Sequence, residues 1–487
     1  MISLSRIALS TSRGLVVSLA ALAAACDSAT PPPGNPDMAT ATVADLATKA
    51  PDPDLAMVTP PDMTVPPVKE TVKIIPISAM GHDRLYGVTF DKDGNIFATG
   101  LAGDGIDATT NMKTVVAKFD RYGELVPGFG TNGVVVYDIV AGTNGEFPRT
   151  IAVQSTGRVI VTATVEHAGA TDPRDRDFAI VGFTPTGQLD KTFGKDGVTI
   201  LDLSDGEVVG MSYVADQAYG LARYDDDRLV VTGAIKRKGA TDTDFAVVRL
   251  TAGGQLDQTF GTNGVFSLDI DMVGASPRHV TIMPDESVFM CGYDIVNNIT
   301  HPVIFKLTKN GQLDASFGKG GIFNDIVLNL VTEAYAIIPN GNRLVTVGYG
   351  RDNEMESVDL VSIGLTTDGK LDQGWGNKGV ARFDPGGFND NGRFIVGLPG
   401  DRVLLVGGGR VSADAVDGVM GMLDKNGQPD TNFGPKGMRT FMLGGPSDHL
   451  WGVALSPDKT YIAAVGIKGV AAPGNDDSAL VLVPITK

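Results

Sequence analysis

The phrase Gly-x-Leu-Asp-x-x-Phe-Gly-x-x-Gly-Val recurs along this chain, and its recurrence constrains the fold more than any other feature. One copy spans 187–198 with Asp190 and Phe193, a second spans 254–265 with Asp257 and Phe260, and a third surrounds Asp314 and Phe317. Looser copies hold Asp372 and Trp375, Asp430 and Phe433, and Phe129 with Gly130. The glycine after the aromatic falls at 130, 194, 261, 318, 376 and 434, so the period is 57 to 67 residues. That length matches one four-stranded sheet plus its loops. A lone sheet of this kind cannot bury both faces, so consecutive copies must pack on one another.

A second phrase is an apolar strand, a polar turn and another apolar strand. It occurs at 86–100, 149–162, 218–233, 279–292, 334–348, 393–407 and 451–466, which makes seven hairpins. A third strand follows each hairpin, as at 178–182 and 245–249, and a fourth follows each Phe-Gly phrase, as at 134–137. Seven hairpins need seven outer strands, yet only six Phe-Gly phrases exist. The last unit ends after its third strand at 479–483, and a spare strand lies at 72–78. The simplest closure has 72–78 complete the last unit, which removes the exposed sheet edges. The expected fold is therefore all-β, a seven-bladed β-propeller of four-stranded antiparallel blades over 72–487.

These motifs resemble the delta-60 repeat family of β-propellers, found in exported proteins of myxobacteria and their relatives. The resemblance covers about 72–487. The first copy departs in having Val126 for the Asp, the fifth has Trp375 for Phe, and the sixth has Pro429 for Leu. The family carries no assigned catalytic residues, so the resemblance implies a fold and not an activity.

Within each phrase the Asp precedes the aromatic by three. That spacing suits an Asx-turn or N-cap in which the carboxylate accepts backbone N–H groups. Asp190, Asp257, Asp314, Asp372 and Asp430 are read as turn formers, with Phe193, Phe260, Phe317, Trp375 and Phe433 as plugs between blades. The rival is a ring of calcium sites, but one Asp per blade supplies too few oxygens for an ion that needs six to eight. No cofactor is expected, and calcium is the one ion to consider. Two copies also spell Gly-x-Gly-x-x-Gly, at 128–133 and 374–379, but a strand follows where a dinucleotide site needs a helix.

The amino terminus reads as an address. Arg6 and Arg13 precede an apolar run from Leu15 to Ala25, too short to span a bilayer. The run ends Leu22-Ala23-Ala24-Ala25-Cys26, which resembles a bacterial lipoprotein lipobox whose cysteine is lipidated. Plain signal-peptidase cleavage after Ala25 is the alternative. Residues 1–25 are thus a signal peptide and 26–71 a linker, where ten of the 27 prolines lie between Pro31 and Pro67. Such a segment has no apolar period to bury and behaves as a solvated stalk.

Composition narrows the function classes. The formal charge is −17, so no nucleic-acid partner is expected, because phosphate binding needs clustered Lys and Arg. Two cysteines exclude a disulfide scaffold. The five His show no metal-binding spacing, and no nucleophile elbow or phosphate loop occurs. Cys291 lies inside an apolar strand and reads as a small buried hydrophobe. The loops leading into the innermost strands carry His82, Arg84, Arg149, Tyr219, Arg278, His279, Tyr335, Arg393, His449 and Trp451. They differ from blade to blade, whereas the opposite face repeats. They form the candidate ligand face, suited to a small polar ligand. The expected function is a binding or scaffolding module of the cell envelope, held to a membrane by a lipid on Cys26. The alternative is an enzyme acting on a glycan or other polar polymer at the channel mouth. The expected partners are the membrane, an envelope protein, a glycan or a small polar ligand, and the expected state is a monomer in the periplasm or at the cell surface.

Overall fold

The computed structural model describes residues 66–485 apart from 79–80, 104–111, 143–144, 170–173, 205–215, 237–241, 271–273, 385–386, 413–414 and 471–475. The signal segment, Cys26 and most of the linker lie outside the described residues. Val68, which the sequence places in the linker, is 6% exposed and packs with Ile75, Leu480 and Leu482. Folded chain therefore begins before the expected strand.

Apart from the 3-10 turn Pro435–Gly437, every described element is a strand. Five sheets have four strands each. The first runs Asp83–Phe90, Ile96–Gly103, Met112–Phe119 and Val134–Tyr137, all antiparallel in chain order. Two more repeat this order, over 147–201 and 217–268, and a fourth does so over 390–441. In the fifth, His449–Leu455, Tyr461–Lys468 and Asp477–Pro484 are joined by the amino-terminal strand Thr71–Ile75, with Thr71 opposite Leu482 and Ile75 opposite Ser478.

Residues 276–383 form one nine-stranded sheet, where two separate units were expected. The short strand Val331–Thr332 causes the merger. It pairs with Thr300 on one side and with Gly350 and Arg351 on the other, and so stitches two hairpins together.

The burial pattern follows the layering. Second strands such as Ile96–Gly103 and Leu229–Ile235 are buried along their whole length, because both faces are covered by neighbouring sheets. Outer strands such as Val134–Tyr137 and Val265–Leu268 are four residues long and half-exposed, which leaves little free edge. First strands lie side by side so tightly that side chains are excluded at some contacts. A Cβ on Gly452 would stand 2.5 Å from the carbonyl oxygen of Tyr86, which brings the last first-strand against the first of the chain.

Each Phe-Gly phrase docks on the next. The Gly194 N–H donates to the Gly253 carbonyl at 2.8 Å, and the ring of Phe193, fully buried, fills the space where Gly254 lacks a Cβ. Gly254 has a φ of +85°, so glycine answers both the turn and the close approach. Phe260 against Gly311, Phe317 against Gly369 and Trp375 against Gly427 repeat the arrangement. Phe433 differs in being only half-buried.

Candidate functional site

The first strands share one irregularity. Pairing with the second strand slips between Leu85 and Gly87, Pro148 and Thr150, Ala218 and Gly220, Pro277 and His279, Gly392 and Phe394, and Leu450 and Gly452. The residues left without a partner are Tyr86, Arg149, Tyr219, Arg278, Arg393 and Trp451. Tyr335 occupies the same place before Ala336–Asn340, since its N–H donates to Val347, which also pairs with Ala336. A bulge re-aims its extra side chain out of the strand alternation. All seven side chains line one cavity of about 230 Å³, together with Thr150, His279 and Phe394.

Around that cavity arginines and aromatic rings alternate. The Arg149 guanidinium is 5.3 Å from the Tyr86 ring centroid and 5.9 Å from that of Tyr219. Arg278 lies 5.0 Å from Tyr219 and 4.7 Å from Tyr335. Arg393 lies 4.6 Å from Tyr335 and 4.4 Å from Trp451. Trp451 then meets Tyr86 edge to face at 5.2 Å. Six of the seven contacts are cation–π pairs, and the seventh is aromatic on aromatic because an odd number cannot alternate throughout.

A buried acceptor fixes the height of most of these strands. Asp83, Glu146, Asp216, Asp390 and Asp448 each stand three residues before a belt residue. Asp83 accepts the N–H groups of Ile77 and Ser78 at 2.6 and 2.8 Å, Asp216 those of Leu203 and Ser204, and Asp448 that of Leu443 at 2.7 Å. Thr332 does the same for Leu328, three before Tyr335. Burial pushes Glu146 and Asp216 up to about 7 and Asp390 up to about 8.

Behind the belt, burial raises Glu333 to about 6, while its hydrogen bond with Tyr349 and the guanidiniums of Arg278 and Arg393 act in the opposite sense. Burial lowers His279 to about 4, so its ring is neutral at neutral pH, with Nδ1 facing the Ile337 N–H at 3.4 Å.

Comparison with known families matches residues 225–260 and 284–317 to a domain of unknown function (DUF5122) beta-propeller. The fold is a β-propeller. The comparison with curated proteins returned no match. Among solved structures, a protein of unknown function from Dyadobacter fermentans is 11% identical, covering 87% of this chain and 100% of its own at a TM-score of 0.46. A Penicillium chrysogenum alpha-L-arabinanase complexed with arabinobiose is 9% identical, covering 86% and 99% at 0.43. A polysaccharide lyase family 25 ulvan lyase is 9% identical, covering 85% and 96% at 0.43.

Of the ten residues placed on the propeller's candidate face, the structure brings seven to the cavity: Arg149, Tyr219, Arg278, His279, Tyr335, Arg393 and Trp451. Most sit on strands at bulges, where the sequence reading had them in loops. The other three lie outside the lining. His82 and Arg84 both engage Asp476, the latter through Nε at 2.7 Å, and His449 turns its Nδ1 to the Ser447 carbonyl at 3.2 Å. Tyr86 was missed. Its signal was position, for it heads the first hairpin as Arg149 heads the second.

The phrase aspartates are spent on local structure. Asp190 accepts the Thr192 N–H at 3.0 Å and pairs with Arg158 at 2.6 Å. Asp257 with Arg249, Asp314 with Lys306 and Asp372 with Arg343 follow suit, each at 2.8 Å, and Asp430 accepts the Asn432 N–H at 3.0 Å. Side chains that could hold a cation gather elsewhere: His167, Asp177 and Asp202; Asp242, Asp244 and Asp269; and Asp359, Asp384 and Asp390. In the last group Arg382 already neutralises Asp359 at 2.8 Å. Cys291 is buried, and burial pushes its thiol up, away from reactivity.

Proposed function

We propose that this chain is a lipid-anchored lipoprotein of the cell envelope whose seven-bladed propeller, closed by its own amino-terminal strand, is a binding or scaffolding module for a small polar ligand. The observation that carries the binding reading is the belt: seven first strands each turn one arginine or aromatic side chain onto a single cavity. Plain β-structure does not need a bulge on six first strands, whereas bulges commonly re-aim side chains beside a binding pocket.

The count of seven is supported by those seven equivalent positions, and closure by the pairing of Thr71–Ile75 with Asp477–Pro484 and by the approach of Gly452 to Tyr86. The anchor rests on the apolar run ending at Cys26. A stalk of some forty residues would hold the propeller clear of the membrane surface.

Binding is preferred over glycan cleavage because of what the cavity offers. Glycoside hydrolysis ordinarily uses two carboxyl groups that flank the bond. Among the described residues the lining contains arginine, tyrosine, tryptophan, phenylalanine, threonine and histidine, but no carboxylate.

Two experiments test the reading. Native mass spectrometry of the protein purified from its own envelope should show a small co-purifying mass that Trp451→Ala removes. The same mass on both proteins would defeat the cavity as the ligand site. Cys26→Ser should move the protein from the membrane to the soluble fraction, and unchanged fractionation would refute the anchor.

A further inference from the structure

Most arginines elsewhere among the described residues are matched with acids, Arg351 being an exception that meets only the Glu354 backbone carbonyl. Arg84 pairs with Asp476, Arg158 with Asp190, Arg249 with Asp257, Arg343 with Asp372 and Arg382 with Asp359. The chain has 57 Asp and Glu against 40 Lys and Arg, so acidic partners are plentiful. Yet among the described residues Arg149, Arg278 and Arg393, the three that share the cavity, form no ion pair. Like charges gathered in a half-buried site without counter-charge are unfavourable unless something else supplies it. Glu333 behind the belt is one carboxylate against three guanidiniums and leaves the cavity net positive.

The belt rings that surround each guanidinium accept no conventional hydrogen bond, so N–H groups are left for another partner. Arg278 spends part of its edge on the Pro277 carbonyl at 3.1 Å and the Tyr293 hydroxyl at 2.9 Å. An oxyanion is the partner that such forked donors match.

We infer that the cavity takes the oxyanion of a small organic acid, held by guanidinium edges of Arg149, Arg278 and Arg393, with the body of the acid against the rings of Tyr86, Tyr219, Tyr335 and Trp451. This rests on the reading of the cavity as a ligand site and names an acid where the overall charge alone would favour a neutral molecule. A volume of about 230 Å³ admits one ring bearing its acid group. The net charge of −17 acts over long range and disfavours polyanions, whereas a ligand with one or two charges feels chiefly the local arginines. Carboxylate and phosphate monoester share this chemistry.

The test titrates the full chain with benzoate, benzamide and inorganic phosphate, following heat and the emission of Trp451; Trp375, the other tryptophan, is fully buried as a plug. Benzoate should bind at least about tenfold more tightly than its neutral isostere benzamide, and added salt should weaken it. Arg149→Gln, which disturbs the longest stacking contacts, should weaken benzoate about tenfold without changing the melting temperature much. Arg393→Lys should fall between wild type and Arg393→Gln, because it keeps the charge and loses the fork. Phosphate that displaces benzoate supports the oxyanion site and points to a phosphate-bearing ligand; phosphate that fails to displace it points to a carboxylate. Equal affinity for benzoate and benzamide overturns the anion inference and leaves the cavity as a site for neutral ligands. Binding of neither acid probe to folded protein also overturns it.

Discussion

The guanidinium of Arg393 lies 4.4 Å from the ring centroid of Trp451, and the two side chains come from bulges on adjacent first strands, Asp390–Leu398 and His449–Leu455. The contact lines the candidate cavity and also joins two first strands. Arg393 also covers Tyr335, so its removal breaks two cation–π pairs in a half-desolvated place. Because removal also relieves repulsion among the cavity arginines, Arg393→Ala should lower stability by only about 1 kcal/mol, with Arg393→Lys costing less. Chemical denaturation of the two variants checks this, and an unchanged midpoint for Arg393→Ala would show that the belt carries no structural load.

The plugs should behave differently. Phe193 and Phe260 are fully buried between blades, and Gly254 and Gly311 leave no alternative filling. Phe193→Ala or Phe260→Ala should cost about 3–5 kcal/mol each through lost burial and a cavity. Phe433→Ala should cost clearly less, since that ring is half-buried. Ligand affinity of the surviving folded protein should not change in any of the three. Equal losses for Phe193 and Phe433 would contradict the plug assignment.

The contrast between plugs and belt shows what a sequence of this kind reveals. The Leu-Asp-x-x-Phe-Gly phrase was legible because one local constraint, an Asx-turn closed by glycines, recurs with the same residue types. The belt was legible only in part. Arg149, Arg278 and Arg393 stood out as charged residues heading apolar strands, but the bulge that aims them is a slip in cross-strand pairing and leaves no residue signature. Tyr86 was therefore missed, and His82 and Arg84 were grouped with residues they do not join. The acids three positions earlier carry the clearer signal, since an Asp or Glu that precedes an apolar strand at a fixed offset needs a local acceptor role. The merger at Val331–Thr332 was hidden because a two-residue strand has no period at all.

Those acids give a pH signature. Asp390 is 2% exposed; it accepts the Arg410 N–H at 2.9 Å, while its other oxygen has no donor. Burial raises its pKa to about 8, the Arg410 bond lowers it, and Asp384 and Asp359 raise it further, with Arg382 paired to Asp359. The folded state therefore holds a proton that the unfolded chain releases near pH 4, so stability should fall as pH rises from about 4 to about 8 and then level off. Glu146 and Asp216 add slopes of the same sign that end near 7. Between pH 7 and 8 the decline should belong mainly to Asp390. Asp390→Asn should flatten melting temperature in that interval and be the more stable protein at pH 8.5. A parallel decline in both proteins would mean that Asp390 is ionised in the folded state at neutral pH.

Ring closure can be tested by where truncation begins to hurt. Residues 27–65 precede the unit that begins at Pro66, and on the stalk reading of this proline-rich segment their deletion should leave the melting temperature within about a degree of wild type. Deleting 27–78 is another matter. It removes Val68 and Ile75 from the core and strips the partner from Asp477–Pro484 over five residue pairs. It also takes Glu70 from Arg439 and leaves the Asp83 carboxylate without the Ile77 and Ser78 N–H groups. A buried carboxylate that loses its donors, an exposed β-edge and lost apolar burial act in the same direction, and together they should cost on the order of 3 kcal/mol or more and promote aggregation. The two truncations are best compared side by side in thermal melts and by light scattering. If they melt together and stay equally dispersed, the amino-terminal strand is an accessory on an already closed sheet, and the last blade must find its fourth strand elsewhere.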